Sequence, residues 1–145
     1  MGSVIVDTNG VATDSVRIPD SLAYSVGTRF TGHPASQRVA FWSGRAAAVA
    51  IVDFALRTTA PLLHSQDPLV PLSWTIDGSL VLASGEGYER RQLYRIPAGS
   101  ARAVKLMDLP EDCRGSLAIS RDRRKVACVF QRWKPDVWLA ELIPQ

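Results

Sequence analysis

Two histidines, two cysteines and fourteen Asp and Glu side chains are the groups in this 145-residue chain best suited to bind a metal or move a proton. His33 and His64 stand alone, with no second ligand at metal spacing, and read as loop histidines. Glu111-Asp112 follows Pro110, a setting that fits a solvated turn better than acid-base work. The chain has no Gly-x-Ser-x-Gly elbow, no Gly-x-x-x-x-Gly-Lys-Ser/Thr phosphate loop and no His-Glu-x-x-His pair. Gly85-Glu-Gly87 lacks the third glycine and the following helix of a dinucleotide site, so it reads as a loop. No nucleophile, base and orienting group can be nominated together. The expectation is therefore a protein that is not an enzyme and takes no metal and no cofactor.

Cys113 and Cys128 lie fifteen apart without a Cys-x-x-Cys or a histidine pair, which argues against zinc. Cys113 falls in a polar stretch and Cys128 in an apolar alternation. Two free thiols are expected, one of them packed in a core, with a disulfide as the alternative. The N-terminus carries neither a basic leader nor an apolar stretch of signal-peptide length, so a cytoplasmic location is expected. The run Ala46 to Ala55 is interrupted by Asp53 and reaches about half a membrane span, so no membrane partner is expected.

Composition fits a folded domain: 46% hydrophobic residues, 21% charged, and a mean hydropathy of +0.01. Seventeen Lys and Arg against fourteen Asp and Glu leave a net charge of +3, all of it from the second half of the chain. Between Arg114 and Lys134 there are seven basic residues and one acid, Asp122. Six of the seven divide between the turn at Arg121 to Lys125 and the turn at Arg132 to Lys134, at opposite ends of one hairpin. They cannot form a single patch, and basic residues at turns guard strand edges. Nucleic acid is not an expected partner.

The elements that must carry these groups follow from an internal repeat. Leu72-Ser-Trp-Thr-Ile-Asp-Gly-Ser-Leu-Val-Leu-Ala-Ser84 aligns without a gap on Leu117-Ala-Ile-Ser-Arg-Asp-Arg-Arg-Lys-Val-Ala-Cys-Val129, and a weaker copy runs from Phe30 through Val39 and Ser43. The period is a little over forty residues. Each copy continues through a polar turn into a short alternating strand: Val49 to Phe54, Gln92 to Pro97, and Asp136 to Leu142. Residues 4–18 resemble the outer half of a preceding unit. Asp77-Gly78 between Trp74 and Leu80 marks a tight hairpin, where glycine supplies a positive φ. A helix over Ala46 to Leu56 is the one competing reading, and its Val-Ile-Val centre and its match to the other hairpins favour strand.

The segment from Leu72 to Ser84, followed by Gln92-Leu-Tyr-Arg-Ile96, resembles the TolB-like propeller repeat, with the pattern P-x-W-S-P-D-G-x-x-I-A-F-x-S and then x-I-Y. Ile76 replaces the second proline of that pattern, and Arg123 stands where the middle copy has Gly78. The resemblance extends over residues 27–142. It implies an all-β fold: a partial β-propeller of about three four-stranded antiparallel blades. Within a single domain of residues 1–145, residues 3–18 form an outer hairpin, 27–62 and 71–106 form blades, and 116–143 form an incomplete blade. Closed propellers have about four to eight blades. Self-association as a two-fold homodimer would complete a ring of six or seven blades and cover the end faces. Residues 3–18 are also candidates for the outer strand missing from the last blade, in cis or from a second copy.

Propellers bind partners on the face that carries the loops between the second and third strands and the loops between blades. Arg45, Tyr88, Arg90 and Trp133 are the side chains there best able to anchor a protein or peptide. Trp42, Trp74 and Trp138 fall within strands and are assigned to packing between blades. The expected function is a non-enzymatic β-propeller module for self-assembly and for protein or peptide binding. The alternative is the propeller domain of a larger enzyme, such as a prolyl oligopeptidase-type peptidase or a kinase, in which it gates or positions substrate.

Overall fold

The computed structural model describes residues 2–6, 12–23, 29–85, 90–111, 113–120, 124–130 and 136–141. Strands β1 (Gly2–Val6) and β2 (Ala12–Arg17) pair as an antiparallel hairpin, followed by a single 3-10 turn at Asp20–Leu22. Next come β3 (Phe30–Gly32), β4 (Arg38–Ser43), β5 (Ala48–Asp53) and β6 (Thr58–His64), which form a four-stranded antiparallel sheet in chain order. A second such sheet holds β7 (Leu69–Trp74), β8 (Leu80–Ser84), β9 (Gln92–Ile96) and β10 (Val104–Asp108). β11 (Cys113–Ile119), β12 (Lys125–Phe130) and β13 (Asp136–Glu141) make a third sheet of three described strands. Residues 48–53 are strand, so the helical alternative falls.

Period-two alternation sends successive side chains of each central strand to opposite faces, and both faces are covered. Phe41, Ala50 and Val52 pack against Val16, Ile18 and Leu22 of the N-terminal segment. Their neighbours Ala40 and Val49 turn the other way, onto Leu69, Leu80, Leu82 and Ile96 of the second sheet. Val81, Ala83 and Leu93 leave the far side of that sheet to meet Cys113, Leu117, Val126 and Cys128. Three cores thus lie between four layers. Every residue of β8 is buried, because it serves two of these cores. A fully buried leucine such as Leu82 contributes about 1.5–3 kcal/mol by burial.

The tryptophans follow this scheme where they are described. Trp42 and Trp74 both pack into the core between the first two four-stranded sheets. The Trp74 indole N–H also donates to the Thr31 carbonyl at 3.0 Å, and Thr31 Oγ1 donates to the Leu72 carbonyl at 3.2 Å, so β3 and β7 are tied at the inner edge of the stack. For Trp138 the backbone register opposite Cys128 is described, and its side chain lies outside the described residues.

Two expectations need correction. Residues 2–6 pair with residues 12–17, and Val16, Ile18 and Leu22 pack on the first four-stranded sheet, on the side away from the second, so the hairpin does not supply the outer strand of the last sheet in cis. Asp14 and Arg57 bridge at 3.1 Å and Thr59 Oγ1 donates to the Arg17 carbonyl at 3.5 Å, which holds it there. The cysteines are not free either. Cys113 and Cys128 form a disulfide across β11 and β12, with Cα atoms 5.7 Å apart. A register shift between Cys113 and Leu117 sets Cys113 opposite Phe130, two residues nearer to Cys128 than an unbroken ladder would, on the buried face that Leu117 also uses.

Candidate functional site

At one end of the stack lie the tight turns after β3, β5, β7 and β9. Asp77 organises the turn after β7: its carboxylate accepts from Thr75 Oγ1, from the Ser79 N–H at 3.2 Å and from Ser79 Oγ at 3.2 Å. Arg95, from β9, donates to the same carboxylate at 2.5 Å. The Thr75 hydroxyl first, then the Ser79 groups and Arg95, outweigh partial desolvation and hold the Asp77 pKa at about 2. Gly78 takes φ 78°, as the hairpin requires. Asp53 has a similar role in the preceding sheet. It accepts from the Leu56 N–H at 3.0 Å and from Arg38 Nε at 2.8 Å, and these bonds lower its pKa. A hollow of about 330 Å³ opens at this end between the first two four-stranded sheets, walled by Ile51, Leu62, Trp74, Leu80 and Ile96. Those residues belong to the core between the sheets or pack against it, so the hollow is that core reaching the surface.

The opposite end carries the β4–β5 turn and the connections that lead from one sheet to the next. A groove of about 620 Å³ opens there among the β6–β7, β8–β9 and β10–β11 connections, lined by Asp67, Arg90, Arg91, Gln92, Asp108 and Glu111 among others. Backbone bonds hold its walls: the Arg91 N–H donates to the Ser84 carbonyl at 2.9 Å, the Leu109 N–H to the Arg91 carbonyl at 2.8 Å, and the Arg90 N–H to the Cys113 carbonyl at 3.1 Å. Asp108 is already engaged, accepting from Gln92 Nε2 at 2.9 Å and pairing with Lys105 at 2.6 Å. Lys105 and then Gln92 lower its pKa.

Of the four residues nominated for partner contact, Arg90 lines this groove. It is half-buried, and burial first, then the positive charge of Arg29, lower its pKa from the usual guanidinium value. Arg45 lies in the β4–β5 turn at the same end of the sheets but outside the groove. It is exposed, and its Nη1 donates to the Asp20 carbonyl at 3.1 Å. Tyr88 and Trp133 lie outside the described residues. Arg29 was not nominated, because nothing in its sequence surroundings places it beside Arg90. His64 sits in the β6 edge, with Nδ1 3.3 Å from the Ala46 carbonyl, and His33 packs against Trp74 with ring centroids 4.9 Å apart and planes tilted by 58°. Among the described residues no three His, Cys, Asp or Glu side chains gather as a metal site, and no described helix is long and apolar enough to cross a membrane.

No family model matches the chain, and no curated protein matches it. Solved structures do. The chain superimposes on TolB from Acinetobacter baumannii with a TM-score of 0.65 and 16% identity, over 93% of this chain and 33% of that one. The fold is a TolB-like partial β-propeller. Hydrazine synthase from Kuenenia stuttgartiensis is similar at a TM-score of 0.61 and 16% identity, over 94% of this propeller chain and 38% of its own length. The propeller described here spans about a third of the length of these two structures. At such identities the likeness speaks for the fold, and function must be argued from the site.

Proposed function

We propose that this chain is a non-enzymatic propeller module that docks a protein or peptide partner at the groove end of its sheets and assembles with a second copy of itself. The observation that carries the docking role is the mixed-charge groove of about 620 Å³, whose walls are loops fixed by backbone bonds to a rigid stack of sheets. Its basic and acidic sides suit a polypeptide, which can offer carbonyls, N–H groups and both signs of charge along a few residues. Self-assembly is supported by the last sheet: one face packs on the second four-stranded sheet, while Ala118 on the other is exposed.

Panning a phage-displayed peptide library on the full chain tests the docking role. Selected peptides should lose at least ten-fold in affinity to both Arg91→Glu and Glu111→Arg. Indifference to both substitutions, or no enrichment at all, overturns it. Light scattering at micromolar concentration should give a dimer; a stable monomer overturns self-assembly.

The disulfide bears on where the module works. Such bonds persist in oxidising compartments and are rare in the cytosol, which supports a working place outside the reducing cytoplasm. Alkylation of protein taken rapidly from its source should leave Cys113 and Cys128 unlabelled; two labelled thiols reverse the conclusion. A second functional reading, a propeller domain within a larger enzyme, is favoured by the likeness to hydrazine synthase and by the short span of the matches. A reading frame continuing into a catalytic domain decides for it.

A further inference from the structure

Three large apolar side chains stand at the turn end of the sheets and serve none of the three cores. Ile76 is 86% exposed, Leu56 68% and Val104 52%, which makes them the most exposed large hydrophobic residues among those described. Ile76 and Leu56 sit on the β7–β8 and β5–β6 turns, and Val104 opens β10 beside the β9–β10 turn. These turns share one end. Arg38 pairs with Asp53 across β4 and β5, and Arg38, Gly78 and Ala98, from the three turn regions, border the same hollow. The β11–β12 turn joins them, because Cys113, at the start of β11, holds the Arg90 N–H at the groove end.

The turns do not need these side chains. The Gly78 N–H donates to the Thr75 carbonyl at 2.9 Å, so Ile76 is the second residue of a β-turn, where proline would fix φ and a β-branched apolar residue adds nothing. Leu56 gives its backbone N–H to Asp53 and leaves its side chain in solvent. Hydrophobic residues exposed singly are ordinary, but the setting of these is not. Arg57 follows Leu56, Arg95 bridges to Asp77 beside Ile76, and Arg102 precedes Val104 by two residues, with Arg38, Arg124 and Lys125 at the same end. The acids there are Asp14, Asp53 and Asp77, each bridged to an arginine, and Glu141, opposite Lys125 in the ladder. Among the described residues of this end, basic groups therefore outnumber acids. At the groove the acids Asp67, Asp108 and Glu111 stand beside Arg90 and Arg91.

Separate apolar tips set among cations do not make the continuous apolar centre that a protein interface buries. They match the boundary of an anionic bilayer, where phosphates receive the cations and the upper acyl region receives the tips. We propose that the turn end is a peripheral membrane-contact surface: Ile76 and Leu56, with Val104 beside them, dip into the boundary of an anionic leaflet while the surrounding basic side chains rest on its headgroups. No spanning segment is required. The surface lies at the end opposite the groove, and the inference is independent of the docking role proposed above.

The test is co-sedimentation of the full chain with vesicles of phosphatidylcholine containing about one-third phosphatidylglycerol, and with pure phosphatidylcholine. Partitioning onto the anionic vesicles should be about ten-fold stronger and should weaken with salt. Leu56→Ser and Ile76→Ser should together lower it about ten-fold. Ile76→Trp should raise it and add a blue-shifted emission on vesicles, which a purely electrostatic contact does not produce. Arg102→Glu with Lys125→Glu should weaken partitioning, whereas Arg45→Ala, which removes a cation from the other end, should leave it unchanged. An unchanged melting temperature certifies that each variant is folded. Failure to bind anionic vesicles, binding that the double serine variant retains in full, or an equal loss in Arg45→Ala overturns the proposal. If polyglutamate or oligothymidine binds as tightly as the vesicles and ignores the serine substitutions, the cations act alone and the membrane surface likewise fails.

Discussion

The two ends of the sheets are built from the same strands and solve different problems. At the turn end, acids are consumed by their own hairpins: Asp53 holds Leu56 and Arg38, and Asp77 holds Thr75, Ser79 and Arg95. At the groove end, charges lie on connections whose backbones are fixed to the sheets, and Asp67, Arg91 and Glu111 line the groove between them. The difference teaches that conspicuous charged residues in a repeat are not equivalent. Those inside tight turns shape the chain, and those on the opposite loops border a space that another molecule can enter.

The strongest way to break the comparison is to remove what both ends stand on. Leu82→Ala empties a wholly buried site in the core between the first two four-stranded sheets and should cost about 2–5 kcal/mol in a denaturant titration, loosening both ends together. Removing the disulfide should act on one end more than the other. The bond closes a fifteen-residue separation, for which loop entropy amounts to about 3 kcal/mol, so Cys113→Ala with Cys128→Ala should lower the melting temperature and speed amide exchange at Arg90 before it does so at Ser79.

A smaller effect should appear at the turn end alone. Asp77→Ala should cost about 1 kcal/mol, discounted for a side chain half open to solvent, and leave peptide binding at the groove unaltered. The pH dependence has a definite sign. Because the folded-state pKa is depressed from 3.8 to about 2, the contribution is full above pH 4 and drains away as pH falls toward 2. Asp77→Asn should flatten that region of an acid titration. The least change is expected from Arg45→Ala. This exposed side chain makes one bond to the Asp20 carbonyl, so stability should stay within about 0.5 kcal/mol, and peptide affinity should fall less than for Arg91→Glu.

Much of the fold was legible because it is local. Alternation of Val, Ile and Leu identifies strands, and Asp77-Gly78 gives its turn away, since only a few residue types suit a left-handed corner. The repeat then implies antiparallel sheets with both faces occupied. What resisted reading is long-range. Cys113 lies in a polar stretch, and no spacing rule announces the register shift that brings it to Cys128. Residues 2–17 resemble an outer half-unit, but which sheet they lie against depends on Val16 and Ile18 finding Phe41, a contact that pattern alone does not specify. The site was half legible for the same reason. Arg90 could be nominated from its loop, whereas Asp67 and Glu111 gain their interest only because the sheets bring three separate connections to one groove.

A stack in which each layer packs chiefly against its neighbours passes stability along like a row of books. The inner volumes are clamped from two sides, and the outermost ones, the hairpin at one end and the three-stranded layer at the other, are where fraying begins. The two outer layers are secured differently: an ion pair from Asp14 to Arg57 helps tie the hairpin to the row, and a covalent staple between β11 and β12 stiffens the last sheet from within. Salt should therefore loosen one bookend and reductant the other, so the order in which this protein comes apart can be chosen by the solvent.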